Sequence, residues 1–154
     1  MRIIIAGAGD VGFHLAKLLS VESQDILLID NNSDKLQYAQ NHIDVSPILG
    51  DCNSTRILKE AQVSKAELLI AVTNSQAVNM TTCIIGKKMG AMRTIARITD
   101  GDYLKQKAID FRELGVDELI SPEMLAAEEI KQLLKENAVT ILILFNDLNL
   151  IFFR

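Results

Sequence analysis

The residues best placed to do chemistry are three glycines that follow the first apolar run of the chain. They belong to Gly7, Ala8, Gly9, Asp10, Val11 and Gly12, a segment with the spacing G-x-G-x-x-G. In such a turn the first glycine permits a tight bend, the second lets the backbone approach a pyrophosphate, and the third lets the next helix pack closely. The N–H groups that begin this helix face the phosphates, and the helix dipole adds favourable charge. We therefore predict a nucleotide site at residues 7–12.

An acidic residue, Asp30, ends the second apolar run about twenty residues after the glycines, where an acid takes ribose hydroxyls. An acid there also repels a 2′-phosphate. This favours NAD(H), or alternatively an adenine nucleotide such as ATP or ADP, over NADP. Asn31 follows directly and is included in the predicted site. The same carboxylate would equally cap the turn Asn31-Asn32-Ser33, so both interpretations stay open.

Polar side chains also follow three later strands, and the carboxyl ends of parallel strands meet at one crevice. They are Asp51 and Cys52 after the third strand, Thr73 and Asn74 after the fourth, and Arg97 near the end of the fifth. The first pair would frame an adenine, the second would meet ribose or phosphates, and the arginine would neutralise a phosphate. Structural alternatives stay open for three of them: Asp51 as a cap near Ser54, Cys52 as core, and Arg97 paired with Glu123.

The elements that must position these residues follow a regular alternation of short apolar runs and longer helix-like segments, which is typical of a parallel α/β sheet. The predicted strands are Arg2–Ala6, Asp25–Ile29, Val45–Leu49, Glu67–Val72, Arg93–Ile98 and Asp117–Ile120. The predicted helices are Val11–Ser20, Ser33–Asn41, Ser54–Ala61, Ala77–Met89, Asp102–Leu114 and Pro122–Glu136. Right-handed crossovers then give a Rossmann-like doubly wound sheet of order 3-2-1-4-5-6, with helices on both faces and the ligand crevice between strands 1 and 4.

Composition excludes several classes of function. The 154 residues, 49% of them hydrophobic, suffice for one well-buried core. The net charge of −4 and the absence of a basic run longer than Lys87-Lys88 exclude nucleic acid as the main partner. The two cysteines, Cys52 and Cys83, lack the spacing of a zinc site or a disulfide scaffold, so no metal is expected and a reducing cytosol fits best. No apolar run reaches the ~18 residues needed to span a bilayer.

The end of the chain departs from the alternation of predicted strands and helices. We predict a nucleotide-binding domain over residues 1–137 and a strand-like tail over residues 138–154, which would pair with a second subunit or begin a further domain. The helix before the tail is rich in apolar residues, and these favour either a dimer face or ordinary core burial. They are Met124, Leu125, Ile130, Leu133 and Leu134.

Taken in order, these motifs resemble the N-terminal regulatory module of Trk/Ktr potassium-uptake systems, the RCK or KTN domain. The matching segments are residues 3–12, Leu28-Ile-Asp30, Gly50-Asp-Cys52 with Leu58-Lys-Glu-Ala61, Ala71-Val-Thr-Asn74 with Asn79-Met80, Ile95-Ala-Arg97 and Gly115 to Glu123. The resemblance covers about residues 1–136. It implies nucleotide contacts at residues 7–11, Asp30, Asp51, Cys52, Thr73, Asn74 and Arg97, with Glu123 a weaker candidate.

The same resemblance implies a cytoplasmic regulatory subunit rather than an enzyme. Such a subunit forms a homodimer or larger ring under a membrane potassium-translocating subunit, at the inner face of the cell membrane, and changes shape as it exchanges NAD+/NADH or ATP/ADP. Family members usually continue into a small C-terminal ligand-binding domain, whereas this sequence stops at Arg154.

Two other functions remain as alternatives. The spacing from Tyr103 to Lys107 is that of a short-chain dehydrogenase dyad, which would suit an NAD-dependent oxidoreductase. The glycine spacing of that class differs, however, so no catalytic residue is assigned. His14 and His42 lie too far apart in the fold plan for a dyad or metal pair. The cytosolic module of a cation antiporter would share the same fold and ligand.

Overall fold

The computed structural model describes residues 1–22, 25–105 and 108–135, and the chain divides into two compact units, Met1–Ile120 and Ser121–Arg154. The first unit contains a parallel sheet of strands β1 to β6. They are Arg2–Ala6, Asp25–Asp30, Ser46–Leu49, Leu68–Ala71, Arg93–Arg97 and Glu118–Ile120. Helices α1 to α6 are Asp10–Ser20, Ser33–His42, Thr55–Glu60, Gln76–Lys88, Asp102–Lys105 and Phe111–Leu114, with a 3-10 turn at Val63–Lys65. The sheet order β3-β2-β1-β4-β5-β6 confirms the predicted fold.

Strand β1 shows why helices lie on both faces of the sheet. Successive side chains of a strand point to opposite faces, and β1 is apolar at every buried position. Ile3 and Ile5 pack in one buried cluster with residues of α1 and α2. Ile4 and Ala6 pack in another with residues of α3 and α4. β1 lies between β2 and β4, so the strand order runs outward in opposite directions on its two sides.

Strand register aligns the carboxyl ends that the sequence predicts to form the site. Ala6 pairs with Ile29 of β2 and with Ala71 of β4, and Asp30 pairs with Leu49 of β3. The residues that follow these positions therefore emerge at one edge of the sheet. This edge is the crevice of a doubly wound fold.

The predicted helix Asp102–Leu114 is wrong as one continuous element. The structure has α5 and α6 instead, and residues 108–110 between them are not helical. Asp110 is extended, with φ −87° and ψ 103°, and its carboxylate accepts a hydrogen bond from Arg112 N. A side-chain cap of this kind begins a new helix, and Gly115, with φ 103°, ends it after one turn.

The second unit begins with a helix over residues 122–135. Its start is as predicted, because Ser121 Oγ accepts a hydrogen bond from Met124 N and Pro122 is the first helical residue. The predicted tail at 138–154 lies outside the described residues. In the part of the chain that is described, no helix has the length and apolar character needed to cross a membrane.

Candidate functional site

A cleft of about 480 Å³ opens at the carboxyl ends of β1 to β4. Its size is that of a typical small-molecule site. The described residues that line it are Gly7, Gly9, Ile29, Asp30, Asn31, Lys35, Gly50, Asp51, Cys52, Asn53, Val72, Thr73, Asn74, Ser75 and Val78. The structure thus brings together eight of the residues predicted from the sequence: Gly7, Gly9, Asp30, Asn31, Asp51, Cys52, Thr73 and Asn74.

The three glycines of residues 7–12, a segment called the glycine turn below, have different structural roles. Gly7 has φ +109°, and a Cβ there would lie 2.9 Å from Thr73 N. A Cβ at Gly12 would lie 1.8 Å from the carbonyl oxygen of Gly7, so only glycine allows α1 to start this close to β1. At Gly9 a Cβ would meet no atom within 4 Å. The open space at Gly9 leaves its backbone accessible from the cleft.

Helix α1 presents its positive end at this turn. Gly9 is its N-cap and contributes no side-chain hydrogen bond to the first turn. The first intrahelical bond runs from Phe13 N to Gly9 O, so the N–H groups of residues 10–12 have no intrahelical acceptor. Backbone donors at the end of an eleven-residue helix favour an anionic group, and they lie beside the cleft.

Asp30 is bonded through both carboxylate oxygens. Oδ2 accepts from Ala8 N at 2.6 Å, and Oδ1 accepts from Asn32 N at 2.9 Å. The second bond is the turn cap that the sequence left open as an alternative, and the first ties β2 to the glycine turn. Each oxygen has a further lone pair, so the carboxylate, which lines the cleft, can still accept from ligand hydroxyls.

The loop after β3 forms another wall of the cleft. Asp51 Oδ1 accepts from Asn53 N at 2.9 Å, and Asp51 O accepts from the N–H of Ser54, the N-cap of α3. Cys52 is 7% exposed, and burial raises the pKa of its thiol, so it lies in the wall as a neutral group. Thr82 of α4 donates to Asn53 Oδ1 at 2.7 Å. The buried hydroxyl of Thr82 therefore fixes the loop after β3 to helix α4.

Several predicted residues do not line the cleft. Ala8, Asp10, Val11 and Gly12 form the turn and the first helical residues behind the lining, and Ala8 contributes its N–H to Asp30. Arg97 ends β5 and is not among the lining residues. Its carbonyl oxygen accepts a hydrogen bond from Asn79 Nδ2 at 2.9 Å. Glu123 belongs to the second unit, in the 122–135 helix.

Seven further residues that line the cleft were not assigned to the site from the sequence: Ile29, Lys35, Gly50, Asn53, Val72, Ser75 and Val78. Three of them are apolar and read as core in the sequence. Lys35 had a usable signal, because it lies in the first turn of α2, five residues after Asp30. It is the one cation among the described lining residues, beside the two carboxylates of Asp30 and Asp51. Across residues 1–22, 25–105 and 108–135, no cluster of three or more His, Cys, Asp or Glu side chains could hold a metal ion.

The sequence matches a known family over most of its length. Residues 3–122 match the model of the TrkA-N domain. The chain is 41% identical, over 137 residues, to the Trk system potassium uptake protein TrkA of Haemophilus influenzae. It is 37% identical over 138 residues to the protein of the same name from Vibrio alginolyticus. These alignments cover 87% and 88% of this chain but 30% of each relative, so the chain spans about a third of their length.

Solved structures share the fold. The TrkA-N domain of the inner membrane protein ybaL from Escherichia coli superposes with a TM-score of 0.75 at 19% identity, covering 86% of this chain and 96% of that one. The GsuK protein bound to ADP gives 0.71 at 22% identity, covering 88% and 34%. The GsuK channel bound to NAD gives 0.64 at 16% identity, covering 77% and 21%.

Proposed function

Because the chain belongs to the TrkA-N domain family, we propose that it is the nucleotide-binding regulatory domain of a potassium-uptake system, and not an enzyme. The observation that carries the proposal is the juxtaposition, in one cleft, of the α1 N-terminus, the open backbone at Gly9 and the Asp30 carboxylate. Together they offer donors for phosphate and an acceptor for ribose hydroxyls, which is the chemistry of nucleotide recognition.

The charges of the cleft support NAD(H), or alternatively ADP or ATP, as the ligand. Phosphates would lie at the start of α1, where the backbone N–H groups compensate their charge. The adenosine ribose would lie at Asp30, where a 2′-phosphate would meet the carboxylate and be repelled. The solved GsuK structures, whose fold this domain shares, were obtained with NAD and with ADP. Lys35 would lie near the ribose, and its positive charge would partly offset the negative charges of Asp30 and Asp51.

Regulation, and not turnover, is supported by the relatives and by the geometry. The two similar proteins are both named as Trk system potassium uptake proteins. Tyr103, the candidate phenol of a dehydrogenase dyad, belongs to α5 and is not among the residues lining the cleft. Lys107 lies outside the described residues. Binding energy that differs between two conformations of the assembly would then bias the transporter, without any chemical step.

The proposed setting is the cytoplasmic face of the membrane, with the domain in a homodimer or larger ring that contacts the potassium-translocating subunit. The 122–135 helix supports a subunit interface. Leu125, Ile130, Leu133 and Leu134 are each more than half exposed on it, so the residues that the structure describes leave them open. Apolar side chains grouped on one exposed helix mark a protein contact.

The proposal is tested first by calorimetric titration of the chain with NAD+, NADH, NADP+, ATP, ADP and AMP. We expect NAD(H) or ADP and ATP to bind and NADP+ to bind more weakly than NAD+. Asp30→Ala should weaken binding about tenfold, since it removes a charged hydrogen-bond acceptor, and should reduce the preference against NADP+. Asp34→Ala is the matched control, because Asp34 is an exposed acid of α2 outside the cleft. Equal affinities for all three chains would contradict the proposed site.

The regulatory part of the proposal is tested in cells whose growth at low potassium depends on the transporter. Asp30→Ala and Asp34→Ala are introduced into the regulatory protein, and potassium uptake is measured. We expect Asp30→Ala alone to change uptake. Unchanged uptake, with nucleotide binding lost in the purified chain, would contradict regulation through this site.

A further inference from the structure

Asn79 is a polar side chain in the interior of the first unit, 1% exposed, on the buried face of α4. Its amide makes four hydrogen bonds. Oδ1 accepts from Thr73 N at 2.8 Å and from Thr73 Oγ1 at 2.7 Å. Nδ2 donates to Thr73 O at 3.0 Å and to Arg97 O at 2.9 Å. Every polar group of the amide is thus satisfied, which a buried amide requires.

The partners fix which way the amide points. Reversing it would set its NH2 group against the Thr73 N–H and its oxygen against two carbonyl oxygens, so the orientation with Oδ1 toward Thr73 N is the one that bonds. Because Oδ1 carries no proton, the Thr73 hydroxyl must donate to it. Its single proton is used in this 2.7 Å bond, which is shorter than the 3.3 Å separation from Ser75 O, the other acceptor within reach. The hydroxyl then offers only its lone pairs to other groups, and one lone pair accepts a hydrogen bond from Ser75 N at 3.3 Å. Toward the cleft, Thr73 therefore acts as a hydrogen-bond acceptor, which suits a ligand hydroxyl better than a phosphate oxygen.

The main chain of Thr73 is also the surface against which the glycine turn rests. A Cβ at Gly7 would lie 2.9 Å from Thr73 N and 3.1 Å from Thr73 Cα. Asn79 holds Thr73 through both its N–H and its carbonyl, so the amide controls the place of β4's end relative to Gly7. A shift of this strand end would move the turn that faces the phosphates, and small displacements of binding groups are costly.

We infer that Asn79 is a positioning residue of the nucleotide cleft: its buried amide holds Thr73 against the glycine turn and sets the direction of the Thr73 hydroxyl. The inference rests on the proposed nucleotide site, and it adds a residue that does not itself line that site. The same amide joins the cleft to the end of β5 through Arg97 O, so β4 and β5 are fixed together at this edge.

The test is titration of Asn79→Ala with ADP and with NAD+, alongside the wild-type chain. We expect the Kd to rise about tenfold while the stoichiometry per folded molecule stays the same, because the pocket keeps its lining but loses its geometry. A purely structural role would lower the unfolding temperature and the fraction of competent protein, and would leave Kd unchanged. Unchanged Kd in the folded variant would overturn the inference.

The matched control is Gln76→Ala. Gln76 belongs to the same helix, and its Oε1, like Asn79 Oδ1, accepts from backbone N–H and threonine hydroxyl groups. Its three donors are Thr99 N, Thr99 Oγ1 and Asp100 N. None of these partners lines the cleft, so we expect Kd to change less than about twofold, within the range of mutations remote from a site. An equal rise in Kd for both variants would show a general loss of α4 and would overturn the specific role of Asn79.

If Asn79→Ala does not fold, the inference is tested by amide hydrogen exchange on the wild-type chain. Thr73 N is bonded to a buried acceptor, so its amide should exchange far more slowly than that of its exposed neighbour Asn74, and ADP should slow it further. Exchange of Thr73 at the rate of Asn74 would overturn the inference. Wild-type protein that binds neither nucleotide would instead overturn the proposed function, and the inference with it.

Discussion

Replacing Gly12 by alanine should destabilise the fold although it places a better helix former inside α1. The added Cβ would lie 1.8 Å from the carbonyl oxygen of Gly7, 2.9 Å from the carbonyl carbon and 3.4 Å from Val72 Cγ2. The first two are backbone atoms of a turn that is itself fixed by Gly7 N bonding to Ile29 O at 2.8 Å. The clash cannot be relieved by rotating a side chain.

The size of the stability loss in Gly12→Ala depends on how far the backbone must move. The Gly7 oxygen has to retreat by about 1.2 Å, the difference between 1.8 Å and the 3.0 Å below which such contacts are essentially unknown. Overpacking of this kind costs about 1–3 kcal/mol, or more where backbone must shift. The preference of a helix for alanine over glycine returns about 1 kcal/mol. Because the atoms that clash are backbone, we expect a cost at the upper end of this range, about 3 kcal/mol. The net loss is then about 2 kcal/mol, which lowers the midpoint of thermal unfolding of a chain this size by about 4–8 °C.

Gly9→Ala is the matched control, since a Cβ at Gly9 meets no atom within 4 Å and its φ of −73° suits alanine. Its stability should stay within about 1 kcal/mol of wild type, from the opposing effects of N-cap preference and reduced unfolded-state freedom. Its nucleotide affinity should fall, because the new methyl group occupies the open space by the α1 N-terminus. The assay is urea unfolding followed by circular dichroism. Gly12→Ala with wild-type stability, or Gly9→Ala destabilised as much, would refute the reasoning.

Two further predictions concern titratable groups of the first unit. Burial alone would raise the pKa of Asp117, but hydrogen bonds from Lys87 Nζ and Thr94 N outweigh it and hold the pKa below its usual 3.8. The stability that Asp117 adds is therefore present above about pH 4 and lost as pH falls below it. Urea unfolding should separate wild type from Asp117→Asn at pH 7, and the difference in stability should shrink as pH falls below about 4; a constant difference would contradict the ion pair. Burial raises the pKa of Cys83 to about 12, and that of Cys52 is also raised, so neither should react with a disulfide reagent at pH 8 until urea unfolds the chain. Rapid reaction of Cys83 in the native protein would show that the buried cluster around it opens.

The fold was predictable because its strands are short, strongly apolar runs that can be recognised in the sequence. Runs such as Ile3-Ile-Ile-Ala6 are too apolar for a half-exposed strand, and their alternation with helical segments leaves few topologies. The break after α5 was harder to predict. Asp110 before Phe111 is a recognisable N-cap, which favours a new helix at Phe111. The apolar spacing of residues 103–114 also fits one continuous helix, and only tertiary packing decides between one helix and two.

The lining of the cleft was predictable where it follows from a local sequence pattern, as at Gly7, Gly9 and Asp30. The hydrogen bonds behind the cleft were not predictable, because they join residues that are distant in the sequence. Asn79 is six residues from Thr73 and eighteen from Arg97, and nothing in its neighbourhood shows that a buried helix face will be polar. Arg97 is the converse case: its place at the end of β5 predicts a nucleotide contact, but it is not among the described lining residues, so its role stays a prediction.

The central claim, that a nucleotide binds in the cleft at the ends of β1 to β4, is tested most directly by nuclear magnetic resonance of the 15N-labelled chain during titration with NAD+ and with ADP. The account predicts saturable shifts concentrated at the amides of Gly7, Gly9, Asp30, Asp51 and Thr73, with little change along β6. Shifts that are absent with both ligands, or that are centred elsewhere in the described part of the chain, would contradict it.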